Sequence, residues 1–304
     1  MAVILSKEPL LKNPDLIASW SGIGNIGLIA VDTLRGQVRA EEMGIIEPWE
    51  FFYPSKVTIR DGVIIDLMFP ASKFSYQRLK NRDLLFFIGE EQPANGNQIY
   101  AEGMKAYQMA NMVLDTAEKF GCRRIYTSGA AVALTHHTLK PRVWAVSSQE
   151  KLLGEIKKRE NTILMGDAVG RGERGTITGL NGLLLGLARK RGLEAVCLMG
   201  EIPDYLSGAP FPYPRASKAV LEVLASILEI EVDYGALDEM ENQVDGVISN
   251  IYNTLPAEVK DRIEQRKYIA QASAETITEE DENWLKEHID EFFKKGGAGD
   301  EQPS

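Results

Sequence analysis

The chain has 304 residues, of which 44% are apolar and 26% are charged, and these fractions are ordinary for a soluble globular protein. Its formal net charge of −10, without a basic stripe carrying interleaved aromatic residues, argues against a nucleic-acid partner. No apolar run approaches the ~20 residues that span a bilayer, and the N-terminal residues lack the pattern of a secretory signal. We therefore predict a cytoplasmic protein with no membrane partner.

Two cysteines, Cys122 and Cys197, each open or lie within an apolar, strand-like run. Neither belongs to a CxxC pair, which argues against a zinc site and against a redox dithiol. We expect two buried free thiols, no metal site and no cofactor.

Strand-like and helix-like runs alternate through the first three quarters of the chain, as in layered α/β domains. The predicted strands lie at 16–20, 57–60, 63–68, 83–88, 124–128, 143–147, 162–165 and 195–199. The predicted helices lie at 28–34, 98–120, 148–157, 180–191 and 216–228. Asp61-Gly62 suits a type I′ hairpin turn, because both central residues of that turn need positive φ. The pattern predicts an α/β fold with a mostly parallel sheet flanked by helices and one inserted antiparallel hairpin.

Beyond Glu231 the pattern is helical only. Pro256 suits the first position of one helix, and Thr278 suits the N-cap of another with an acidic first turn. Residues 255–304 include 13 acidic and 7 basic residues, a net charge of −6. The predicted domains are an α/β domain over 1–237, a helical appendage over 238–297 and a disordered tail over 298–304. We expect the acidic appendage to mediate self-assembly or a partner contact.

A glycine-rich turn follows the first predicted strand. Gly22, Gly24 and Gly27 fit G-x-G-x-x-G, and Glu47 lies twenty residues beyond, as in dinucleotide-binding folds. The bulky Trp20 before the turn, the hairpin after Glu47 and the lack of a hydride-transfer acid or base argue against that function. The alternative is a tight strand-to-helix turn in which glycine permits close packing.

A second loop, rich in glycine and arginine, precedes the helix predicted at 180–191. Arg171 and Arg174 could hold an anion, and Thr176, Thr178 and Asn181 could add hydrogen bonds near the helix N-terminus. The alternative is a surface loop with solvated arginines.

Glu201 follows the strand predicted at 195–199, beside a loop that carries three prolines between residues 210 and 214. Such a stiff loop suits a pocket rim or an oligomer contact, and we favour the contact slightly. The candidate ligand-binding residues are Gly22, Gly24, Asn25, Gly27, Arg171, Arg174, Thr176, Thr178, Asn181 and Glu201.

No catalytic residue is predicted. The Ser128–Ala131 segment is expected to form a turn after a strand, but it lacks the G-x-S-x-G form of a hydrolase elbow. His136 and His137 lack an acidic partner or a metal-ligand spacing, which favours a polar loop.

Three segments together resemble the PAC2 family, the proteasome assembly chaperone 2 group. They are Pro14–Gly27, Gly175–Gly186, and Leu198–Pro203 with Pro210–Ser217, and they occur in the family's order. The resemblance implies an αβα sandwich similar to the purine nucleoside phosphorylase core, usually in a homo-oligomer. It also implies an assembly or docking role on proteasome-like rings, while many prokaryotic members carry an ATP-grasp superfamily label.

We therefore predict a non-enzymatic, oligomeric assembly chaperone or scaffold, whose partners are its own copies and subunits of a protein complex. Relatives that dock on proteasome rings can end in a hydrophobic-Tyr-any tripeptide, whereas the sequence here ends in Gln302-Pro303-Ser304. We expect no docking of that kind, which puts direct proteasome binding in doubt. The alternative function is a nucleotide-, nucleoside- or phosphate-binding enzyme.

Overall fold

The computed structural model describes residues 2–54, 56–93, 103–168 and 175–274. The strands are β1 (Val3–Leu5), β2 (Asp15–Trp20), β3 (Glu41–Ile46), β4 (Lys56–Arg60), β5 (Val63–Met68), β6 (Ser72–Arg78), β7 (Asp83–Gly89), β8 (Arg124–Ala133), β9 (Val143–Ser147), β10 (Thr162–Leu164) and β11 (Glu194–Pro203). The helices are α1 (Ile26–Gln37), α2 (Gly103–Lys119), α3 (Glu150–Ile156), α4 (Met165–Ala168), α5 (Gly179–Lys190), α6 (Pro214–Leu228), α7 (Gly235–Thr254) and α8 (Ala257–Ala274).

The nine strands of the main sheet are ordered β1-β3-β6-β7-β2-β8-β11-β9-β10. The four central strands, β7, β2, β8 and β11, are parallel. The β1-β3-β6-β7 flank is antiparallel, and β9 joins β11 antiparallel before pairing in parallel with β10. The α/β class is thus confirmed, but the sheet is mixed, and the predicted parallel arrangement describes its centre.

Helices cover both faces of the sheet. Side chains alternate along β2, so that Leu16, Ala18 and Trp20 face one apolar cluster and Ile17 faces the other. The first cluster contains buried residues of α2 and α5, and the second contains buried residues of α1, α3, α6 and α7. The result is three layers, with helices on either side of a sheet whose central strands are buried on both faces.

The flanking strands β1, β3 and β6 were not predicted. The β6 sequence, Ser-Lys-Phe-Ser-Tyr-Gln-Arg, contains two aromatic residues among polar ones. Gly44 interrupts the apolar run of β3, but it lets β1 approach, because a Cβ at this position would lie 2.6 Å from the carbonyl oxygen of Ile4. Pairing with an adjacent strand, which is a long-range effect, stabilises these weak segments.

Two central strands extend beyond their predicted ends. The expected turn at Ser128–Ala131 is wrong, because β8 continues to Ala133 and pairs with β11 in parallel throughout that stretch. Likewise Glu201 does not follow a strand end but lies within β11, which ends at Pro203. Each extension is stabilised by backbone pairing along the other strand.

The hairpin formed by β4 and β5 is confirmed, with φ of 50° at Asp61 and 79° at Gly62, as a type I′ turn requires. It forms a separate two-stranded sheet.

The described part of the chain after Glu231 is helical, as predicted. The predicted boundary after residue 237 falls inside α7, whose Leu237, Val244 and Ile248 belong to the second apolar cluster. The helix predicted from Thr278 and the tail predicted over 298–304 lie outside the described residues.

Candidate functional site

A cavity of about 120 Å³ lies where β2 and β8 meet the loops that follow the central strands. The turn after β2 forms one wall, and the segment leading into α5 forms another. The lining residues are Trp20, Gly22, Ile23, Ile26, Gly27, Gln92, Gly129, Ala130, Thr176, Ile177, Thr178, Asn181, Cys197 and Met199. Open α/β sheets bind ligands in crevices of this kind, beyond the carboxyl ends of parallel strands.

Five of the candidate residues line this cavity: Gly22, Gly27, Thr176, Thr178 and Asn181. The two segments predicted separately from sequence therefore lie together. Other candidates lie elsewhere: Gly24 and Asn25 form the turn without lining the cavity, and Glu201 is part of a buried ion pair. Arg171 and Arg174 lie outside the described residues.

The glycine turn is held by packing. Gly24 has a φ of 59°, and a Cβ there would lie 3.0 Å from Cβ of Tyr213. The backbone N–H of Tyr213 donates to the carbonyl oxygen of Gly24 over 2.8 Å, which ties the turn to the start of α6. Asn25 also has positive φ, at 49°. The first half of the G-x-G-x-x-G pattern thus serves a left-handed turn and a close contact within the protein.

Gln92 joins the two predicted loops and was missed by the sequence analysis. Its Nε2 donates to the carbonyl oxygen of Ser21 over 2.7 Å, and its Oε1 accepts from the backbone N–H of Leu180 over 3.0 Å. A Cβ on Gly179 would lie 2.9 Å from this Oε1. The available signal was the position of Gln92, just after β7, since the carboxyl ends of neighbouring parallel strands meet at one edge.

The described lining offers little for catalysis. All of its side chains are uncharged, and burial raises the pKa of the Cys197 thiol to about 11, so that the thiol stays protonated near neutral pH. Asn181 Oδ1 is buried without a hydrogen-bond partner among the described residues. The volume is also well below the roughly 300–1,000 Å³ of small-molecule sites. This arrangement suits a few waters or a very small polar molecule.

Glu201 is held by three donors. Its carboxylate accepts from the backbone N–H and Nε of Arg142, both over 3.0 Å, and from Nε1 of Trp144 over 2.7 Å. Its side chain is 2% exposed. This network fixes β9 against β11, and the Glu201 carboxylate is occupied by hydrogen bonds within the chain.

Of the two histidines predicted to lie in a polar loop, His136 lies against Glu264 of α8 and His137 lies against Tyr205 and against Tyr252 of α7. His136 Nδ1 accepts from the backbone N–H of Thr138, which places the ring proton on Nε2, 3.5 Å from Glu264 Oε1. Burial, and then the neighbouring His137, lowers the pKa of His136 from 6.5 to about 4. Since His136 is neutral at pH 7, its contact with Glu264 is not an ion pair there. His137 Nδ1 lies 2.8 Å from the Tyr205 hydroxyl.

No group of three or more His, Cys, Asp or Glu residues suited to a metal ion occurs within the ranges that the structure describes. Over the same ranges, no helix has both the length and the apolar character that crossing a bilayer would require.

The hairpin carries an exposed apolar face. Directly opposed residues of an antiparallel pair share a face, and Val57 opposes Leu67 while Ile59 opposes Ile64. A register shift between Thr58 and Ile59 leaves Ile65 without an opposed residue, so that both pairs lie on one face. All four side chains are exposed, Ile59 by 63% and Ile64 by 67%. We call these four residues the hairpin's apolar face. The sequence predicted the hairpin but not its projection away from the main sheet.

Sequence comparison finds the family that the three sequence segments resemble. A model of the PAC2 family matches residues 16–251. An uncharacterized protein of Methanocaldococcus jannaschii, MJ1210, is 26% identical over 240 residues, which cover 79% of this chain and 82% of that protein.

Solved structures show the same fold. Pyrococcus furiosus PbaB, described as an archaeal proteasome activator, superposes with a TM-score of 0.68 at 26% identity, over 82% of this chain and 98% of that one. P. furiosus PbaA, described as an archaeal homolog of proteasome-assembly chaperone, gives a TM-score of 0.59 at 20% identity, over 87% of this chain and 99% of that one. A Mycobacterium tuberculosis protein of unknown function, Rv2714, gives a TM-score of 0.68 at 17% identity, over 90% of this chain and 92% of that one. With a family match that covers most of its length, the chain belongs to the PAC2 family.

Proposed function

We propose that this protein is an oligomeric, non-enzymatic scaffold that assists the assembly or action of a proteasome-like complex. The observation that carries the proposal is the hairpin's apolar face, which offers a protein-binding surface. The candidate cavity, by contrast, offers uncharged side chains and a protonated thiol.

Two solved relatives support the class of partner that we propose. PbaB, 26% identical over nearly its whole length, is described as a proteasome activator, and PbaA as a homolog of a proteasome-assembly chaperone. We transfer from them a role on a multi-subunit ring, exercised in the cytoplasm. We also propose that the three-layered fold is similar to the purine nucleoside phosphorylase core.

The helical region after residue 237 is the proposed partner-binding appendage. It is anchored to the α/β layers by an ion pair between Arg266 Nη2 and Asp204 Oδ2 at 2.8 Å. A hydrogen bond from the Tyr252 hydroxyl to Glu264, also 2.8 Å, joins α7 to α8. Acidic residues concentrated in this region would complement a basic surface on a ring.

The alternative, a nucleotide-, nucleoside- or phosphate-binding enzyme, is supported by the convergence of five candidate residues on one cavity. It would need Arg171 and Arg174 to supply the positive charge that the described lining lacks. A calorimetric titration with ATP–Mg²⁺, adenosine and phosphate tests it. Saturable binding that Arg174→Ala abolishes would favour the enzyme over the scaffold.

Retention of an archaeal 20S core particle on the immobilised protein tests the scaffold. We expect the full chain to retain the particle, and we expect deletion of residues 255–304 to reduce retention at least about tenfold, a loss of roughly 1.4 kcal/mol. Circular dichroism of the truncated chain must show intact α/β structure for this comparison. A full chain that retains no particle contradicts the proposal.

A further inference from the structure

We propose that the cavity between β2, β8 and α5 binds a small neutral amide, whose carbonyl oxygen accepts from Trp20 and whose N–H donates to Asn181. This ligand site goes beyond the proposed scaffold function and does not depend on it.

Two polar groups at the cavity lack hydrogen-bond partners. Trp20 is 1% exposed, and its Nε1 is buried without a partner among the described residues. Asn181 Oδ1 is buried in the same unsatisfied state. Both residues line the cavity. Because a buried polar group without a partner costs free energy, native proteins satisfy such groups with protein atoms, water or a bound molecule.

The chemistry of these two groups selects the class of ligand. An indole N–H only donates, whereas an amide oxygen only accepts. A molecule that satisfies both groups must therefore present one acceptor and one donor, as the carbonyl oxygen and N–H of a carboxamide do. A carboxylate that is ionised at neutral pH offers acceptors only, so it leaves Asn181 Oδ1 unsatisfied. A cation finds no negative partner, since the side chains of the described lining are uncharged.

Much of the remaining wall is apolar, and it includes Ile23, Ile26, Ile177 and Met199. Waters satisfy the two polar groups but make no hydrogen bond to these side chains. A short alkyl chain covers them and gains the free energy of apolar burial. The volume of about 120 Å³ equals that of roughly four waters, which limits the ligand to a few non-hydrogen atoms. A few polar groups in an apolar lining is also the usual composition of a small-molecule site.

A ligand in this position joins two elements of the fold. Trp20 ends β2, and Asn181 lies in the first turn of α5. The amide would thus add a second bridge beside that of Gln92, which links the carbonyl oxygen of Ser21 to the backbone N–H of Leu180. Occupancy should therefore stabilise the folded chain, by an amount set by the ratio of ligand concentration to Kd.

Propanamide and propanoate are a matched pair of probes, because they have nearly the same shape and differ in charge and in the N–H donor. In the full chain labelled with ¹⁵N-tryptophan, the indole N–H resonance of Trp20 reports binding at the proposed donor itself. We expect propanamide to shift this resonance saturably, with a Kd of about 1–10 mM, as suits so small a ligand. Propanoate at pH 7 and equal ionic strength should leave the resonance unchanged up to about 100 mM.

The resonance is assigned with Trp20→Phe or, if that variant fails to fold, by eliminating the other three of the four tryptophans. Asn181→Leu is close to the wild type in volume and removes the acceptor, so it should weaken propanamide binding at least about tenfold. The control is Trp49→Phe, because Trp49 is 64% exposed and is not among the lining residues. It should change the Kd less than about twofold.

A Trp20 resonance that does not shift saturably up to about 100 mM propanamide overturns the inference and leaves water as the occupant. Equal shifts with propanamide and propanoate overturn the neutral class of ligand. Unchanged affinity in an Asn181→Leu variant that keeps the other indole resonances of the wild type overturns the role of Asn181. If that variant fails to fold, the comparison of the two probes on the wild type still decides.

Discussion

Gly27, in the first turn of α1, packs against the main chain of Ser128 in β8. A Cβ at position 27 would lie 2.5 Å from the carbonyl carbon of Ser128 and 2.8 Å from Oγ of Ser19. Helix α1 can approach the sheet this closely only because the residue has no side chain. The last glycine of the G-x-G-x-x-G pattern thus serves helix–strand packing, which is one of the roles glycine plays in dinucleotide folds, without a dinucleotide being needed.

Replacing Gly27 by alanine should destabilise the protein. The added methyl group meets backbone atoms, which cannot rotate away, and overpacking of this kind costs about 1–3 kcal/mol or more. Urea denaturation measures the change in the free energy of unfolding. The matched control is Gly36→Ala in the same helix, where a Cβ meets nothing within 4 Å and the substitution should stabilise by about 0.5–1 kcal/mol. Equal effects at the two positions would contradict the packing role.

Removing the Glu201 carboxylate should also be costly. Glu201→Ala leaves the Trp144 Nε1–H and the partly exposed Arg142 guanidinium without their acceptor, which we expect to cost about 2–3 kcal/mol. The control is Glu194→Ala on the same strand, because Glu194 is 29% exposed and its partner Arg124 keeps a second carboxylate, Glu155, at 3.4 Å. That loss should be about 1 kcal/mol or less. A small effect at Glu201 would contradict the network described here.

Stability should fall as the pH decreases through the range in which His136 titrates. The pKa of His136 is about 4 in the folded protein, against 6.5 as its ordinary value, because burial disfavours the charged ring. The unfolded chain therefore binds more protons between these values, so the contribution is complete above pH 6.5 and is lost toward pH 4.

The expected loss is about 1–3 kcal/mol, and the pKa from which it follows already includes the opposing effect of Glu264, which favours the protonated ring. Urea midpoints at several pH values for the wild type and His136→Gln measure it, and the variant should show a flatter profile. Burial also lowers the pKa of His137, so part of the dependence of stability on pH should remain in the variant. Superimposable profiles would contradict the assignment.

Both thiols should be inert in the folded state. Burial raises the pKa of Cys122 and of Cys197, and each thiol is at least nine-tenths buried. An aromatic disulfide reagent at pH 8 should therefore react with neither cysteine in native protein and with both in denaturant. Rapid reaction of Cys197 in native protein would contradict this expectation and would show that the cavity beside it opens.

The sequence predicted much of the centre of the fold because its signals there are local. Dense apolar runs mark β2, β7 and β11, and Gly121 and Gly192, both with positive φ, end α2 and α5 where expected. The antiparallel flank escaped prediction because β3 and β6 owe their strand conformation to a neighbouring strand. Their own residues carry too weak a strand signal, because the conformation depends on pairing with residues distant in sequence.

The candidate site was predicted in the same uneven way. Glycine patterns identified both segments that line the cavity, because strained or crowded turns require glycine at fixed positions. Gln92 escaped because a single amide after a strand has no pattern of its own. Glu201 was misplaced because β11 continues through a glycine and a proline, with backbone pairing to β8 that no local signal indicates.

Native mass spectrometry of the full chain mixed with an archaeal 20S core particle tests the scaffold proposal most directly. We expect a species whose mass equals the particle plus two or more copies of the 33.7 kDa chain, formed at micromolar concentration and unaffected by ATP–Mg²⁺ or phosphate. A spectrum containing only the free particle and a monomer that binds one of these small molecules would contradict it.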